Sequence, residues 1–312
     1  MNEFKRIKSA KNWVLTLLII LVSFTHLPAQ TTMDSVRKKT EKNYQAKAPK
    51  TQSFGAEAFK ASNKTTLRWL GMAGFFINSR GTTMMVDPLL KGFDMPIMID
   101  FPIATKNVPK LDAVLVTHAD NDHYSVPTNR DLKTVTREFH STIYVDSLMK
   151  NEGFPSFGHD IGNTFQVGPV RVKLTPADHA YQNAYPKAGQ RHFKNEDACG
   201  FWIETPDGTI WAPGDSRLMP EHLQFTTPDA ILFDFSDSEW HFTLAGAVKI
   251  ANAYPNTPLL LNHWGSVDAP DFTPFNADPE PLKKLVVNPK RIHVLAPGEP
   301  FTLKQLKKSK GK

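Results

Sequence analysis

The sequence predicts an α/β (α+β) fold in which two mixed β-sheets are flanked by helices. Three observations carry this prediction. Short strand-like segments follow one another closely from about Thr65, as in an antiparallel meander. Strands that alternate with helical stretches come next, which is typical of parallel sheets. The same succession then recurs from about Phe165, which indicates a second sheet built like the first.

The first 30 residues have the composition of an export signal. Four basic residues within the first eleven precede an apolar run at 13–24, and Ala29 offers a small residue near a cleavage site. The apolar run is shorter than the roughly 20 residues that a membrane-spanning helix needs. We therefore predict a signal peptide over residues 1–30 and a periplasmic or secreted protein, with an uncleaved N-terminal membrane anchor as the alternative.

The compact domain is predicted to span residues 64–303. Residues 31–63 are rich in Lys, Thr, Gln, Ser and Ala without sustained apolar periodicity, which indicates a linker or a short surface helix. Residues 304–312 contain five lysines and are predicted to form a basic tail. Hydrophobic residues make up 40% of the chain and charged residues 22%, which fits an ordinary globular domain.

The basic charge of the chain lies mainly at its two ends. The first 30 residues contain four basic residues and Glu3, so their removal lowers the formal net charge from +6 to +3. The domain itself is therefore nearly neutral, which argues against a nucleic-acid partner and allows membrane contact without requiring it. Cys199 is the only cysteine, so no intrachain disulfide can form.

The first predicted sheet begins with three strands, at Leu67–Leu70, Gly74–Asn78 and Thr82–Asp87. Pro88 then starts a loop rich in Met and Pro that continues to about Pro109. This loop is predicted to be either a substrate-binding lid or a cover for the sheet edge.

A buried strand at 113–116 follows, and then a helical stretch at 128–139. A strand at 143–146 and a helix that ends near Gly153 complete this half.

The second predicted sheet begins with a hairpin at 165–174. A helix is predicted from Thr243, which is its N-cap, to about Tyr254. Two final strands, at 292–295 and 301–303, are predicted to close this second sheet.

A dense cluster of ionisable residues follows the strand at 113–116. His118, Asp120, Asp122 and His123 supply two imidazoles and two carboxylates within six residues. Such nitrogen and oxygen ligands suit borderline or hard divalent cations, with zinc, manganese and iron as the candidates. An acidic polar turn without a metal is the alternative.

Three later strands also end in a residue that can bind a metal, namely His179, Asp215 and His263. Any one of them alone would more often be a hydrogen-bonded structural residue than a ligand. Because four separate strand ends each present such a side chain, we predict that they bind metal jointly.

These motifs resemble those of the metallo-β-lactamase superfamily of metal-dependent hydrolases. The resemblance covers about residues 65–303 and rests on an ordered set of motifs: Trp69-Leu-Gly-Met-Ala-Gly-Phe75, Val86-Asp-Pro88, the cluster at 118–123, His179, Gly214-Asp-Ser216 and His263-Trp-Gly265. Within the superfamily, the chain is most similar to the branch of the L-ascorbate-6-phosphate lactonases and the N-acyl-phosphatidylethanolamine phospholipase D type enzymes. The resemblance implies a four-layer αββα sandwich with metals at one edge, between the sheets.

The resemblance also implies two divalent cations, zinc or manganese, with iron as a third candidate. One would be bound by His118, Asp120 and His179, the other by Asp122, His123 and His263, and Asp215 would bridge the two. The family motif is H-x-H-x-D-H, and Asp120 stands where the family has its second histidine. A carboxylate is a harder ligand than an imidazole, so we expect this first position to favour manganese or iron over zinc.

The expected function is hydrolysis of a small or lipid-like ester, lactone or phosphodiester by hydroxide held at the dinuclear site. Two cations that share a water lower its pKa towards neutrality, and Asp122 or Asp215 can act as the catalytic residue that takes the proton. The alternative is a non-catalytic member of the same fold that binds a ligand or partner at an altered first metal site. A nuclease fits less well because the domain lacks basic charge.

Several residues near these ligands are candidates for substrate binding: Arg217, Tyr181, Arg191, His192, His241 and Trp264. Arg217 is predicted either to bind a phosphate or carboxylate of the substrate or to pair with a loop carboxylate. Trp264 is predicted either to line the site or to pack beneath His263. The substrate itself and the oligomeric state are not encoded in any pattern of the sequence.

Overall fold

The computed structural model describes residues 45–306. The predicted signal peptide, residues 31–44 of the predicted linker and the last six residues of the predicted tail lie outside this range. Within it, no helix is both long enough and apolar enough to cross a membrane.

The first sheet has seven strands and is antiparallel on one side and parallel on the other. Its strands are β1 (Thr65–Gly71), β2 (Gly74–Ser79), β3 (Thr82–Val86), β4 (Leu111–Leu115), β5 (Thr136–Thr142), β6 (Ser156–His159) and β14 (Pro300–Thr302). Their spatial order is β14-β1-β2-β3-β4-β5-β6. Pairing is antiparallel from β14 to β3 and parallel from β3 to β6.

The second sheet repeats this plan with seven more strands. They are β7 (Thr164–Val167), β8 (Val170–Pro176), β9 (Cys199–Thr205), β10 (Gly208–Ala212), β11 (Ala230–Asp234), β12 (Leu259–Asn262) and β13 (Ile292–His293). Their order is β13-β12-β11-β10-β9-β8-β7, antiparallel from β7 to β10 and parallel from β10 to β13. The predicted meander, alternation and repetition are therefore present.

Four α-helices cover the outer faces of the two sheets: α1 (Val126–Leu132), α2 (Ile143–Asn151), α3 (Thr243–Ala253) and α4 (Pro279–Leu285). One hydrophobic core contains residues of both sheets together with α3 and α4. A second core joins the first sheet to α1 and α2. The layers therefore run α, β, β, α, and the predicted fold class is confirmed.

Residues of the first sheet alternate between these two cores. Phe75 and Ile77 of β2 face the core between the sheets, whereas Phe76 faces the helices. In β4, Ala113 and Leu115 point one way and Val114 the other. Because both faces are covered, these strands read as continuous apolar runs.

An extended segment crosses the edge of the sandwich before β1, and we name residues 45–54 the N-terminal strap. Its backbone donates hydrogen bonds from Ala48 to Gly265 O at 2.9 Å and from Gln52 to Pro297 O at 2.8 Å. Gly265 has a φ of +62°, and a Cβ at this position would lie 2.6 Å from Ala48 N. Only glycine therefore lets the strap pack against the loop that follows His263.

The predicted helix at 128–139 and strand at 143–146 are both displaced in the structure. Helix α1 ends at Leu132, strand β5 begins at Thr136, and residues 143–146 form the first turn of α2. The hydroxyl of Thr142 accepts a hydrogen bond from Val145 N at 3.4 Å, so it caps this helix where the sequence suggested a strand. Capping by Thr142 and pairing of β5 between β4 and β6 outweigh the β-propensity of Ile143 to Val145.

The prediction that both final strands close the second sheet was half wrong. β13 pairs with β12, but β14 pairs with β1 at the edge of the first sheet. The chain passes between the sheets at Gly298, whose N–H donates to Trp69 O at 2.6 Å. This crossing covers the otherwise open edge of β1.

The helix predicted from Thr243 begins there. Thr243 has a φ of +59°, and its hydroxyl accepts a hydrogen bond from Gly246 N at 3.2 Å, as expected of an N-cap.

Candidate metal centre

Four strands deliver potential metal ligands to one edge of the sandwich. The 118–123 cluster follows β4, His179 follows β8, Asp215 follows β10 and His263 follows β12. Their side chains form two groups in which the ligand atoms lie within 4.8 Å of one another: His118, Asp120 and His179 in the first, and Asp122, His123, Asp215 and His263 in the second. The structure thus brings together all seven residues for which the sequence predicts metal binding.

Each of these histidines turns its Nε2 atom inward because its Nδ1 atom is held from outside. The Nδ1 of His179 donates a hydrogen bond to Trp240 O at 2.9 Å, and that of His263 donates to Pro274 O at 2.8 Å. Such outer hydrogen bonds fix the ring orientation and leave Nε2 as the atom available to a cation.

Asp87 holds His123 in the same way. Its Oδ2 atom accepts hydrogen bonds from His123 Nδ1 at 2.8 Å and from the Thr117 hydroxyl at 2.7 Å, and its Oδ1 accepts from Thr117 N at 2.7 Å. The Thr117 oxygen in turn accepts from His118 Nδ1 at 3.0 Å. One buried carboxylate therefore sets the orientation of two ligands, one directly and one through Thr117.

Asp215 lies between the two groups. Its Oδ2 atom is 3.1 Å from His123 Nε2, 3.4 Å from His263 Nε2 and 4.0 Å from His179 Nε2. A single oxygen that faces ligands of both groups is placed as a bridging ligand would be.

The centre concentrates negative charge in a buried environment. Burial acts to raise the pKa of Asp122, but the neighbouring imidazoles of His123 and His263 outweigh it and hold this pKa well below its usual range. Burial conversely acts to lower the pKa of His263, but Asp215 and Asp122 raise it to about 10. These carboxylates therefore favour positive charge close to them, which a divalent cation would supply.

Two buried ring atoms test whether the residues fit a metal. His118 Nε2 and His123 Nε2 make no hydrogen bond to any residue within 45–306. Carboxylate oxygens lie 3.3 Å and 3.1 Å away, but without the angles of a hydrogen bond. An unsatisfied buried polar atom costs about 1–3 kcal/mol, and coordination of a cation would remove that cost. Four imidazoles and three carboxylates suit zinc, manganese or iron.

Asp120 reaches the first group despite its short side chain. Its Oδ2 atom lies 3.3 Å from His118 Nε2 and 3.5 Å from His179 Nε2. Its Oδ1 atom accepts a hydrogen bond from Gln182 Nε2 at 3.2 Å. Asp120 thus offers one oxygen towards the first metal position, while the other is held by the loop after His179.

His241 lies closer to the centre than its sequence context indicated. Its Nδ1 is 2.6 Å from Asp234 Oδ2, and its Nε2 is 3.7 Å from Asp215 Oδ2. Its ring centroid is 4.9 Å from that of His263. Asp234, His241 and His263 form a third potential ligand group, so His241 is available to a cation or to a substrate.

Arg217 pairs with a loop carboxylate, as one of its two predicted roles required. Its guanidinium forms two hydrogen bonds with Asp178, both at 3.0 Å, and lies 4.7 Å from the ring of Trp240. Trp264 is 3% exposed and stacks on Trp69 with ring centroids 6.0 Å apart.

The three remaining candidates for substrate binding lie in the loop after His179, and their surroundings differ. The ring of Tyr181 is 5.1 Å from that of His179, and burial together with Asp120 raises the pKa of its hydroxyl, so Tyr181 belongs to the centre. Arg191 pairs with Asp197 at 2.7 Å and lies 4.1 Å from the ring of Tyr144. His192 is exposed.

An open cavity lies beside the first ligand group. Its lining includes His118, His179, Gln182, Tyr144, Phe193 and Lys194. The cavity joins two ligand residues to the loop after His179, so a molecule that enters it would contact this loop.

Three residues of the centre were given no role from the sequence: Asp234, Gln182 and Asp87, which was noted only as part of the motif Val86-Asp-Pro88. Asp87 directly follows β3, and Asp234 is the last residue of β11. Both therefore carry the signal that identified His118 and Asp215, a polar group directly after an apolar strand. Gln182 lies in a polar loop and carries no such signal.

Comparison with known proteins identifies the family. Residues 82–264, more than half of the chain, match the model described as a β-lactamase superfamily domain. The chain belongs to the β-lactamase superfamily. Similar proteins of this superfamily include a UPF0173 metal-dependent hydrolase from Caldivirga maquilingensis, 25% identical over 253 residues, which cover 76% of this chain and 97% of that protein. Another, from Pyrococcus abyssi, is 28% identical over 250 residues, which cover 76% and 99%.

Solved structures of two other proteins have a similar fold. Igni18, a novel metallo hydrolase from Ignicoccus hospitalis, superposes with a TM-score of 0.59 at 19% identity, covering 78% of this chain and 99% of that one. A possible metal-dependent hydrolase from Veillonella parvula gives a TM-score of 0.60 at 18% identity, covering 77% and 100%. The prediction of a metal-dependent hydrolase of this superfamily is confirmed by the family match and by the names of these relatives.

Proposed function

We propose that the protein is an exported hydrolase that uses two divalent cations to cleave an ester, lactone or phosphodiester of a small or lipid-like substrate. The observation that carries this proposal is the convergence of four imidazoles and three carboxylates in which His118 Nε2 and His123 Nε2 have no partner among the described residues. Export is supported by the composition of residues 1–30.

His118, Asp120 and His179 would hold one cation and Asp122, His123 and His263 the other, with Asp215 shared. When bound, such cations polarise the substrate and make a water nucleophilic near neutral pH. Zinc and manganese are the proposed metals, and the carboxylate of Asp120 favours manganese or iron at the first position.

The chain's own side chains would orient the reactants and move the proton. Asp122 or Asp215 accepts the proton of the attacking water, because both carboxylates are buried and held in the ionised form by neighbouring imidazoles. Asp87 keeps His123 in place throughout. His241, held by Asp234, is proposed to contact the substrate next to Asp215.

The surroundings of the centre support a substrate with an apolar portion. The ring of Phe275 stacks on His263 with centroids 5.2 Å apart, and Phe93 packs edge-on against Phe275 at 5.8 Å. The neighbouring Phe272 is 48% exposed. The resemblance to the ascorbate-6-phosphate lactonase and phospholipase D branch adds support for lactones and phosphodiesters as the bonds to test.

A non-catalytic binding protein is the second candidate, and the observation that favours it is Asp120 in place of histidine. Hydrolysis is preferred because the other six ligand residues of the family motif are all present.

One experiment separates the two functions. The mature protein would be reconstituted with zinc or manganese, its metal content measured, and its hydrolysis of bis-p-nitrophenyl phosphate and simple lactones followed with and without a chelator. We expect about two equivalents of metal and chelator-sensitive turnover. Metal binding without activity on a broad panel would favour the binding protein, and less than about half an equivalent of any transition metal would contradict the dinuclear site.

A further inference from the structure

Gln182 connects the first metal position to the adjacent cavity. It lies in a short 3₁₀ turn, Tyr181–Asn183, directly after His179. Its side-chain nitrogen donates to Asp120 Oδ1 at 3.2 Å, and Gln182 is one of the residues that line the cavity. One residue therefore contacts a candidate ligand and borders the cavity beside it.

The orientation of this amide is fixed by chemistry. An ionised carboxylate only accepts hydrogen bonds, so the atom of Gln182 that faces Asp120 must be the nitrogen. The oxygen then faces away from Asp120. It is buried and has no hydrogen-bond partner in the part of the chain that the structure describes.

The backbone around Gln182 is held rigidly enough for the side chain to act as a positioning group. Gln182 O accepts a hydrogen bond from Gln190 Nε2 at 3.1 Å. Asn183 closes the loop through two hydrogen bonds with the backbone of Phe193, at 2.8 and 2.9 Å. The amide is thus presented from an ordered turn rather than from a free loop.

Asp120 needs such a partner because a carboxylate has two equivalent oxygens. Only Oδ2 faces His118 Nε2 and His179 Nε2, at 3.3 and 3.5 Å. The hydrogen bond from Gln182 to Oδ1 keeps the carboxylate from rotating and reserves Oδ2 for the cation. An imidazole at this position, as in the family motif, would offer a single inward nitrogen without this help.

The unpartnered oxygen of Gln182 points to the chemistry of the cavity's occupant. A buried acceptor without a donor is costly, and a ligand that brings an N–H or O–H to it gains affinity. Gln182 is one of the residues that line the adjacent cavity, so a small polar group of a substrate that enters the cavity can approach this side chain.

We propose that Gln182 is a positioning residue with two roles: its nitrogen fixes Asp120 for the first cation, and its oxygen binds a hydroxyl or amide N–H of the substrate. The second role rests on the proposed hydrolytic function, whereas the first requires only that the centre binds metal.

The first role is tested by metal binding, without any activity measurement. Gln182→Met preserves the length of the side chain and removes both hydrogen-bonding ends. Titration of the metal-free protein with Co²⁺ or Mn²⁺ alone should show one of two binding steps weakened by about 10-fold or more, as is usual when the residue that orients a ligand is lost. Gln166→Met, the same change at an exposed residue of β7, should bind both ions as the wild type does.

Circular dichroism and thermal unfolding would confirm that both variants are folded. If Gln182→Met and the wild type bind both ions equally, Gln182 does not position Asp120.

The second role is tested with two non-hydrolysable probes at saturating metal. Hydroxymethylphosphonate carries an O–H donor beside a tetrahedral anion, and methoxymethylphosphonate carries the same group with the donor capped. We expect the wild type and Gln166→Met to bind the hydroxyl form about 5-fold to 10-fold more tightly, which corresponds to one ordinary hydrogen bond. Gln182→Met should bind the two probes equally.

Equal binding of the two probes by the wild type would overturn the second role. A wild type that prefers hydroxymethylphosphonate but hydrolyses no ester, lactone or phosphodiester would overturn the proposed function and leave the role of Gln182 standing.

Discussion

Two histidine clusters are buried in this sandwich, and they differ in where their ring nitrogens point. In the metal centre, His118 and His123 direct Nε2 atoms without partners towards converging carboxylates. In the other cluster, His140 Nδ1 and His159 Nε2 form a hydrogen bond with each other at 3.0 Å. Both rings stack on Phe165, with centroid distances of 4.0 Å for His140 and 4.4 Å for His159. The ring nitrogens that face each other in the second cluster therefore need no cation as a partner.

This difference distinguishes a candidate metal site from a histidine cluster that only packs within the fold. His140 also contacts Glu138 at 3.2 Å, so both of its nitrogens have partners. Phe165 belongs to the second sheet and the two histidines to the first, so their stack joins the sheets at an outer edge. Both clusters contain buried histidines, and what marks the candidate metal centre is ring nitrogens without hydrogen bonds that face several carboxylates.

The largest effect is expected from removal of the shared carboxylate. Asp215→Ala should abolish hydrolysis, by about 10³-fold or more, because both metal positions lose a ligand and a proton acceptor. The same holds for Asp122→Ala. Turnover on the best substrate of the panel would be measured alongside circular dichroism.

Asp160→Ala, an exposed carboxylate next to His159, is the matched control and should retain wild-type turnover. Full activity in either Asp215→Ala or Asp122→Ala would refute the mechanism.

A smaller effect is expected from the carboxylate that orients His123. Asp87→Asn keeps the shape of the side chain but removes the charge that holds His123 Nδ1, so metal affinity should fall by about 10-fold to 100-fold. Metal titration with zinc or manganese measures this change.

Asp146 provides the comparison, since it is also buried but bonds to Ser156 and Lys150, both at 2.6 Å. Asp146→Asn should lower stability without changing metal affinity. An equal loss of affinity in both variants would mean that Asp87 acts only through the fold.

The smallest effect is expected at the other histidine cluster, as a dependence of stability on pH. Burial lowers the pKa of His140 to about 4, although Glu138 acts in the opposite direction. Because the unfolded value is near 6.5, His140 contributes stability that is present above pH 6.5 and is lost as the pH falls towards 4. Between pH 7 and pH 5 this loss is about 2 kcal/mol.

His140→Phe preserves the stack and removes the titrating group, so its free energy of unfolding should depend less on pH by about this amount. Urea denaturation at pH 7 and pH 5 measures the difference, and carboxylates elsewhere cancel between the two proteins. Identical pH dependence in both would show that His140 does not contribute.

Much of the fold could be predicted because local patterns encode it. Short apolar runs located the strands, and polar groups after them located His118, His179, Asp215 and His263. Pairing partners are set by tertiary contacts instead, so the sequence could not show that β14 joins the first sheet. The helix predicted at 128–139 and the strand predicted at 143–146 were misplaced because Thr142 caps a helix whose first residues are β-branched or aromatic.

The hydrogen bonds that orient the candidate ligands could not be predicted, for a different reason. His179 and His263 are oriented by the backbone carbonyls of Trp240 and Pro274, and a carbonyl is present in every residue. No residue type marks such a position. Gln182 was hidden because its partner, Asp120, is brought near it only by folding.

The N-terminal strap has a consequence for the order in which the molecule assembles. It binds the backbone of Gly265 and Pro297, so the first described segment of the domain is fixed by loops near its other end. Contacts that span so much of the chain close late and slowly in folding. His263 lies two residues before Gly265, so the last ligand to be set belongs to the same closure. A chain synthesised only as far as residue 262 would lack His263, Gly265 and Pro297, so neither the strap contacts nor the set of candidate ligands can be complete before most of the domain has been made.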